Sequence, residues 1–315
     1  MCGPNAEACK DEYESRVHLN EISQNVIVGD FPVEFMGRSY VGKIAYYENG
    51  PKPLVLVFPN YAGLKQFDID QAVFMALLGY VAVAVDLYGD SFPPELRNPG
   101  SSATEKDILR HLQGAFSAYN HHLKNPREWR ALMKFYLYEA LKMPVVDETR
   151  AGAIGYCFGG QCILEMVRSG ADIQGGVSFH GLLQSKPLLE PLCFPTATLP
   201  LTELLPESVA PNDYNTECKL HFFNAEHDDH VSDSSFKEFK EEMRDVKDWQ
   251  FTTISGVYHG FALSRGVWSN KYDVKADRKS TRGMIEFFSD LWGDFTPSAH
   301  VAVNACGTPI AISQL

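Results

Sequence analysis

The chain has 315 residues, 45% of them hydrophobic, and its 40 acidic side chains outnumber 28 basic ones, which gives a formal net charge of -12. This length and apolar content suffice for a large buried core in a single domain. An acidic chain binds nucleic-acid phosphates and anionic membranes poorly, so we expect neither nucleic acid nor a membrane as a partner.

Apolar runs and helical spacings alternate along most of the chain. Antiparallel strands are predicted at residues 26–28, 33–35 and 40–47, with a turn at 36–38. Apolar runs, typical of strands buried on both faces, lie at residues 53–58, 80–86 and 151–155. Further strands are predicted at residues 176–180, 219–224 and 249–255. Helices are predicted at residues 70–78, 104–141 with a break near Asn125 and Pro126, 234–246 and 281–292. The alternation predicts one α/β domain over residues 1–315, with a mostly parallel, doubly wound sheet flanked by helices and antiparallel strands at its N-terminal edge.

Three segments do not fit this alternation. Residues 1–20 are an N-terminal extension, residues 295–315 are a C-terminal tail, and residues 181–216 form an irregular insertion rich in proline and leucine. The insertion follows the strand predicted at residues 176–180. The sequence leaves three roles open for this insertion: it overhangs a cleft, it mediates contacts between subunits, or it is a surface loop without a role at the site.

The segment Gly155-Tyr156-Cys157-Phe158-Gly159-Gly160 places a thiol between a buried strand and a helix. It has the spacing of the G-x-S-x-G nucleophile elbow, with cysteine in place of serine. Gly155 and Gly159 leave room for the strained backbone of such a turn. The helix dipole at this position favours the thiolate. The alternative is a small buried cysteine in a glycine-rich turn.

A cysteine nucleophile needs an imidazole as its base and a carboxylate to orient that imidazole. In this fold the acid follows the nucleophile in sequence and the histidine follows the acid. The segment His227-Asp228-Asp229-His230 comes after the strand predicted at residues 219–224, and His259 lies in a glycine-flanked loop after the strand predicted at 249–255. These residues supply the candidate acid and base.

Together these motifs resemble the dienelactone hydrolase family of α/β-hydrolases, also called carboxymethylenebutenolidases. The resemblance rests on the elbow at residues 155–160, the loop ending in Asp228, and His259-Gly260-Phe261-Ala262. Residues 54–64 and 79–89 are also similar to the family's first parallel strands, so the resemblance covers roughly residues 25–292. It implies an α/β-hydrolase fold and a catalytic triad of Cys157, Asp228 and His259 that cleaves a lactone or ester. Asp228 is preferred to Asp229 because it stands three residues before Val231, which matches the family's spacing.

An α/β-hydrolase also stabilises the oxyanion with two backbone amides, one after the nucleophile and one after an early strand. Phe158 and Tyr61 occupy these positions, although the ring of Tyr61 can equally line the cleft. Candidate substrate contacts are Asn60, Tyr88, Phe261 and Arg265.

Two departures from the family bear on the substrate. The resemblance implies a glutamate that helps to deprotonate the thiol, but Asn60 stands at its position and an amide cannot accept that proton. The family's carboxylate-binding arginines have no counterpart at Asp90 and Leu263, and only Arg265 lies nearby. We therefore expect an ester, lactone or thioester other than the anionic dienelactone.

The segment His227-Asp228-Asp229-His230 also has metal-ligating residue types. Four adjacent residues rarely all point at one ion, so no metal and no other cofactor are expected, and His227 and His230 are interpreted as solvated loop residues. The main alternative function is a non-catalytic α/β-hydrolase-fold protein that binds a ligand or partner in the cleft. That alternative stays open because Asn60 replaces the glutamate that helps to deprotonate the thiol in the family.

The seven cysteines are odd in number and lack metal-type pairing, which indicates reduced thiols and a cytoplasmic protein. The first fifteen residues lack the pattern of a signal peptide, and no apolar window has the length of a membrane helix. The ending Ser313-Gln314-Leu315 resembles a peroxisomal address without its basic middle residue, so the peroxisome is a weaker alternative. We expect a monomer or homodimer with a small-molecule substrate.

Overall fold

The computed structural model describes residues 26–97, 103–184, 193–194, 197–198, 213–263, 271–293, 302–303 and 309–310. Eight strands form one sheet: β1 (Ile27–Phe35), β2 (Arg38–Tyr46), β3 (Lys52–Phe58), β4 (Val81–Ala84), β5 (Val146–Tyr156), β6 (Gly175–Phe179), β9 (Lys219–His227) and β10 (Asp248–Tyr258). Two further pairs of two-residue strands are β7 (Cys193–Phe194) with β8 (Ala197–Thr198), and β11 (Ala302–Val303) with β12 (Pro309–Ile310).

The strand order of the large sheet is β1-β2-β4-β3-β5-β6-β9-β10. Strand β2 is antiparallel to both of its neighbours, whereas β4, β3, β5, β6, β9 and β10 are mutually parallel. The predicted fold class, a mostly parallel sheet with an antiparallel N-terminal edge, is confirmed. One detail was wrong, because the strands predicted at residues 26–28 and 33–35 are parts of the single strand β1, which begins at Ile27. Pro32 is tolerated there because β1 is an edge strand.

Within the described residues, the sheet is flanked by seven α-helices: α1 (Gln66–Leu77), α2 (Pro94–Arg97), α3 (Glu105–Lys124), α4 (Pro126–Leu141), α5 (Phe158–Arg168), α6 (Asp233–Glu242) and α7 (Val274–Trp292). The predicted break between α3 and α4 is confirmed, and Pro126 occupies the first turn of α4, where its missing N–H costs nothing. Helix α7 begins seven residues before its predicted start. Asp273 caps it by accepting a hydrogen bond from the N–H of Ala276 at 2.8 Å.

The central strands are buried on both faces, which explains their continuous apolar runs. In β3, Leu54, Leu56 and Phe58 face the apolar layer shared with α3, α4 and α5. Val55 and Val57 point to the opposite layer, shared with α1 and α7. This two-layer core fixes the sheet so that the carboxyl ends of its parallel strands meet at one edge.

Most of the predicted insertion at residues 181–216 lies outside the described residues, as do the extension at 1–20, Ser313-Gln314-Leu315 and most of the C-terminal tail. Over the part of the chain that the structure describes, no helix has the length and apolarity needed to cross a membrane.

Candidate active site

Cys157 sits at the sharp turn from β5 into α5. Its φ of 58° and ψ of -114° lie outside the regions that non-glycine residues favour, so the backbone is strained at the thiol. The turn is also tightly packed. A Cβ on Gly155 would lie 2.2 Å from the carbonyl oxygen of Gly159, and a Cβ on Gly159 would lie 2.2 Å from that of Phe58. Glycine is therefore required at both positions by close backbone contacts.

The thiol of Cys157 lies in a buried, largely aromatic environment. Cys157 is 4% exposed, and its N–H donates a 3.0 Å hydrogen bond to the carbonyl oxygen of Phe179 at the end of β6. Burial, reinforced by the charge of Cys157, raises the pKa of the nearby Tyr61 and Tyr119 hydroxyls. Both phenols therefore stay protonated around the sulfur.

Asp228 and His259 meet at the carboxyl ends of β9 and β10. Nδ1 of His259 lies 2.9 Å from Oδ1 and 2.9 Å from Oδ2 of Asp228, and both side chains are almost fully buried. The N–H of His230 donates a 3.0 Å hydrogen bond to Oδ1 of Asp228, which fixes the carboxylate. The ring of His259 is thus oriented through Nδ1.

The charge state of His259 follows from its neighbours. Burial lowers the pKa of His259, but the charge of Asp228, the charge of Cys157 and hydrogen bonds to both residues outweigh burial and raise that pKa to about 10. The imidazolium form is therefore favoured at neutral pH, held between a carboxylate and a sulfur.

The other residues of the acid loop point elsewhere. The side chain of Asp229 is 77% exposed and lies 3.8 Å from Nζ of Lys271. His227 is exposed beside Glu226. Among the residues that the structure describes, no group of three or more His, Cys, Asp or Glu side chains is arranged to hold a metal ion.

The loop after β3, which carries Tyr61, is held in shape by hydrogen bonds. The carbonyl oxygen of Asn60 accepts a 3.0 Å hydrogen bond from the N–H of Gly63, and the side-chain Oδ1 of Asn60 accepts one of 2.9 Å from the N–H of Ala62. The hydroxyl of Tyr88 donates to the carbonyl oxygen of Tyr61 at 2.8 Å. Asn60 and Tyr88, both expected as substrate contacts, therefore also brace this loop.

The second amide expected at the oxyanion position belongs to Phe158. As the first residue of α5, Phe158 has an N–H without an acceptor inside the helix. Its fully buried ring packs against Tyr119 at 4.8 Å and Trp129 at 5.1 Å between ring centroids. This packing fixes the start of the helix.

Two further candidate substrate contacts were Phe261 and Arg265. Phe261 is fully buried and packs on His180, with ring centroids 5.2 Å apart, whereas Arg265 lies outside the described residues. The interpretation of His230 as a solvated loop residue was wrong, because its ring packs edge-on against His259 at 4.5 Å. Burial and the charge of His259 lower the pKa of His230 to about 4.

His180 belongs to the same cluster of rings, and sequence reasoning missed it. It follows β6 and is fully buried, with its ring centroid 5.0 Å from that of His259. The signal that could have found it is its place at the carboxyl end of a parallel strand, where α/β folds assemble their sites.

Comparison with known protein families gives a match over most of the chain. A model of the dienelactone hydrolase family matches residues 41–291. The chain belongs to the dienelactone hydrolase family. The predicted resemblance is thereby confirmed, and so is the expectation, at the level of the family, of a hydrolase acting on ester or lactone bonds.

Individual relatives of this dienelactone hydrolase family member match about half of the chain, and 24% to 32% of the aligned positions are identical. The "Uncharacterized protein K02A2.1" of Caenorhabditis elegans is 32% identical over 160 residues, which are 49% of this chain and 88% of that protein. The "Probable 2-oxo-3-(5-oxofuran-2-ylidene)propanoate lactonase" of Bradyrhizobium sp is 24% identical, and the match spans 47% of this chain and about half, 55%, of that lactonase.

Among solved structures, the fold is similar to that of the dienelactone hydrolase-like promiscuous phosphotriesterase P91 from metagenomic libraries. The TM-score is 0.62 at 24% identity, over 85% of this chain and 99% of that one. At this level of identity the likeness supports the α/β-hydrolase fold alone.

Proposed function

We propose that this protein hydrolyses a small-molecule ester, lactone or thioester through a triad of Cys157, His259 and Asp228. The observation that carries the proposal is the contact of Nδ1 of His259 with both oxygens of Asp228 at 2.9 Å. That contact leaves the other ring nitrogen for the sulfur, and Cys157 is among the groups that raise the pKa of His259. These are the roles that covalent catalysis by a cysteine requires.

The chemistry starts from a thiolate and an imidazolium. The Cys157 thiolate attacks the carbonyl carbon, and the amides of Tyr61 and Phe158 stabilise the negative charge that develops on its oxygen. His259 then gives its proton to the departing oxygen or sulfur, which leaves a thioester on Cys157. Neutral His259 next takes a proton from water, the hydroxide attacks the thioester, and the acid is released as the thiolate re-forms.

Activation of the thiol falls to His259 without help from Asn60. The Oδ1 of Asn60 is engaged by the N–H of Ala62, and an amide has no proton-accepting role. Asn60 therefore serves the turn that carries the Tyr61 amide, and the proton of Cys157 passes to Nε2 of His259.

The proposed substrate is neutral. Arg97, the buried arginine near the loop of Tyr88, is already occupied by Asp86 at 2.9 Å and by the carbonyl oxygen of Gly89 at 2.6 Å. A carboxylate on the substrate would have to compete for that guanidinium in a chain with a net charge of -12. The name of the Bradyrhizobium relative makes lactones the first substrates to try.

The test is the pre-steady-state hydrolysis of 4-nitrophenyl butyrate and a panel of neutral and anionic lactones. We expect a burst of nitrophenol with an amplitude near one per active site, which Cys157→Ala abolishes. Cys218→Ala is the matched control, because Cys218 is also buried but directly precedes β9, at the end of the strand away from Asp228. Wild-type protein with no turnover on esters, lactones and thioesters would favour the alternative, a protein that only binds a ligand or partner in the cleft.

We also propose a cellular compartment, a domain organisation and an oligomeric state for the enzyme. We assign it to the cytoplasm, as one domain over residues 1–315 that is a monomer or homodimer, because a thiolate nucleophile requires a reducing compartment. The peroxisome, suggested by Ser313-Gln314-Leu315, is the weaker alternative. Fluorescence microscopy of the tagged chain with Leu315 left free, and light scattering of the purified protein, test these points.

A further inference from the structure

His180 is a buried histidine that the proposed chemistry does not use. It lies after β6, between the strand of the nucleophile and the strand of the acid, and it is fully buried. Its ring is 5.0 Å from that of His259 and 5.2 Å from that of Phe261, centroid to centroid. It therefore packs directly against the histidine of the proposed triad.

The backbone is strained at this residue. His180 has a φ of 39°, in the left-handed region, while the adjacent Gly181, which could adopt such a φ without strain, does not have one. The segment is held in place by hydrogen bonds from the N–H of His180 to the carbonyl oxygen of Phe223 at 2.7 Å and from the side-chain amide of Asn224 to the carbonyl oxygen of Gly181 at 3.1 Å. The fold thus holds a strained histidine in a fixed position beside His259.

The ring nitrogens of His180 have no hydrogen-bond partner on any other residue that the structure describes. A buried polar group without a partner costs about 1–3 kcal/mol. Burial and the charge of His259 lower the pKa of His180, so the ring is neutral and offers one donor and one acceptor. A phenyl ring would fill the same space without that cost, so packing alone does not account for an imidazole.

We propose that His180 contacts the substrate and hydrogen-bonds a neutral polar group on its alcohol portion. This inference rests on the proposed function. In that reaction the carbonyl oxygen faces the amides of Tyr61 and Phe158, and the alcohol portion leaves beside His259, the ring neighbour of His180. The preferred substrates are therefore esters whose alcohol portion carries a hydroxyl or ether oxygen. Among lactones, the preferred ones carry such an oxygen in a substituent on the carbon bonded to the ring oxygen.

The test compares ethyl butyrate with 2-hydroxyethyl butyrate, which share their acyl group. We expect His180→Phe to reduce kcat/KM for the hydroxyethyl ester about tenfold more than for the ethyl ester, the loss that one hydrogen bond predicts. We also expect the midpoint of thermal unfolding not to fall, because two unpartnered nitrogens are removed. His180→Asn keeps a donor and an acceptor near one ring nitrogen, so it should retain more of the preference for the hydroxyethyl ester even if it unfolds earlier.

His221→Phe is the matched control. The ring of His221 also stacks on a phenylalanine, Phe223, at 4.0 Å, but its Nε2 is bonded to Oγ1 of Thr252 at 3.0 Å. This variant should unfold earlier and leave the ratio of the two esters unchanged.

The outcomes separate this inference from the proposed function. If the wild type hydrolyses the esters but His180→Phe changes their ratio less than twofold, or unfolds earlier than the wild type, the role of His180 is refuted while the triad stands. If the wild type turns over neither these esters nor the activated aryl ester, both proposals fail together.

Discussion

Arg168 at the end of α5 and Glu242 at the end of α6 form a two-point ion pair in the interior. Nε of Arg168 lies 2.7 Å from Oε1 of Glu242, and Nη2 of Arg168 lies 2.7 Å from Oε2. Arg168 is fully buried. Its other contacts include Oε1 of Glu165 at 2.7 Å and the carbonyl oxygen of Leu183 at 3.0 Å. Helix α5, which begins directly after Cys157, is thus held at its C-terminal end by contacts with α6 and with the segment that follows β6.

The first prediction concerns this pair. Arg168→Met should lower the free energy of unfolding by about 3–5 kcal/mol, because it leaves Glu242 without its arginine and leaves Glu165 with Arg130 as its remaining ion-pair partner. Lys142→Met, which removes the partly exposed pair with Glu139, should cost no more than about 1 kcal/mol. Urea unfolding measures both values, and a loss below about 1 kcal/mol for Arg168→Met would show that the buried pair contributes little.

The elbow predicts a strong effect at Gly159. Gly159→Ala places a Cβ 2.2 Å from the carbonyl oxygen of Phe58, so the turn must shift, and we expect both stability and ester hydrolysis to be lost. Gly29→Ala is the control, since its nearest neighbour is a side-chain carbon of Ile44 at 3.9 Å. Thermal unfolding and activity of the two variants provide the measurement, and an active, equally stable Gly159→Ala protein would contradict the packing described for the elbow.

The turn after β3 predicts that Asn60 acts through the Tyr61 amide. Asn60→Ala removes the acceptor for the N–H of Ala62, which should lower stability by about 1 kcal/mol and reduce the acylation rate about tenfold. Asn60→Asp keeps an acceptor oxygen and should lose less of both. Stopped-flow acylation with 4-nitrophenyl butyrate checks the order, and equal losses for the two variants would argue against the turn as the cause.

The raised pKa of His259 makes stability depend on pH. Its folded-state pKa of about 10 exceeds the ordinary value of 6.5, so the stabilisation is fully present below pH 6.5 and is lost as the pH rises through about 10. Asp228→Asn removes one of the charges that raise this pKa. We expect urea unfolding at pH 6 to show a larger deficit for Asp228→Asn than at pH 10, whereas a deficit that grows with pH would contradict the assigned charge state.

The central sheet was predictable because strands buried on both faces leave an unmistakable pattern. The run at residues 53–58 corresponds to β3 with a difference of one residue, since every side chain from Pro53 to Phe58 is buried. Strand β1 was split in the prediction because its polar residues, facing solvent at the sheet edge, interrupt the apolar pattern. Helix α7 was shortened for a similar reason, because its first two turns are largely charged.

The site was less predictable wherever a residue's role depends on its neighbours in space. The elbow, the order of acid and histidine, and the loop glycines are local patterns, so Cys157, Asp228 and His259 could be proposed from the sequence. The roles of His180 and His230 were missed, because their contacts with His259 depend on β6 lying between β5 and β9 and on the path of the acid loop. The hydrogen bond from the N–H of Ala62 to Oδ1 of Asn60 was likewise not predicted from the sequence.

The most direct test of the account is intact-protein and peptide mass spectrometry of the enzyme acid-quenched during turnover of 4-nitrophenyl butyrate. The account predicts one butyryl group per chain, on the peptide that contains Cys157, and no such group in Cys157→Ala. A butyryl group on any other residue, or nitrophenol release without acylated protein, would contradict a covalent mechanism at the elbow.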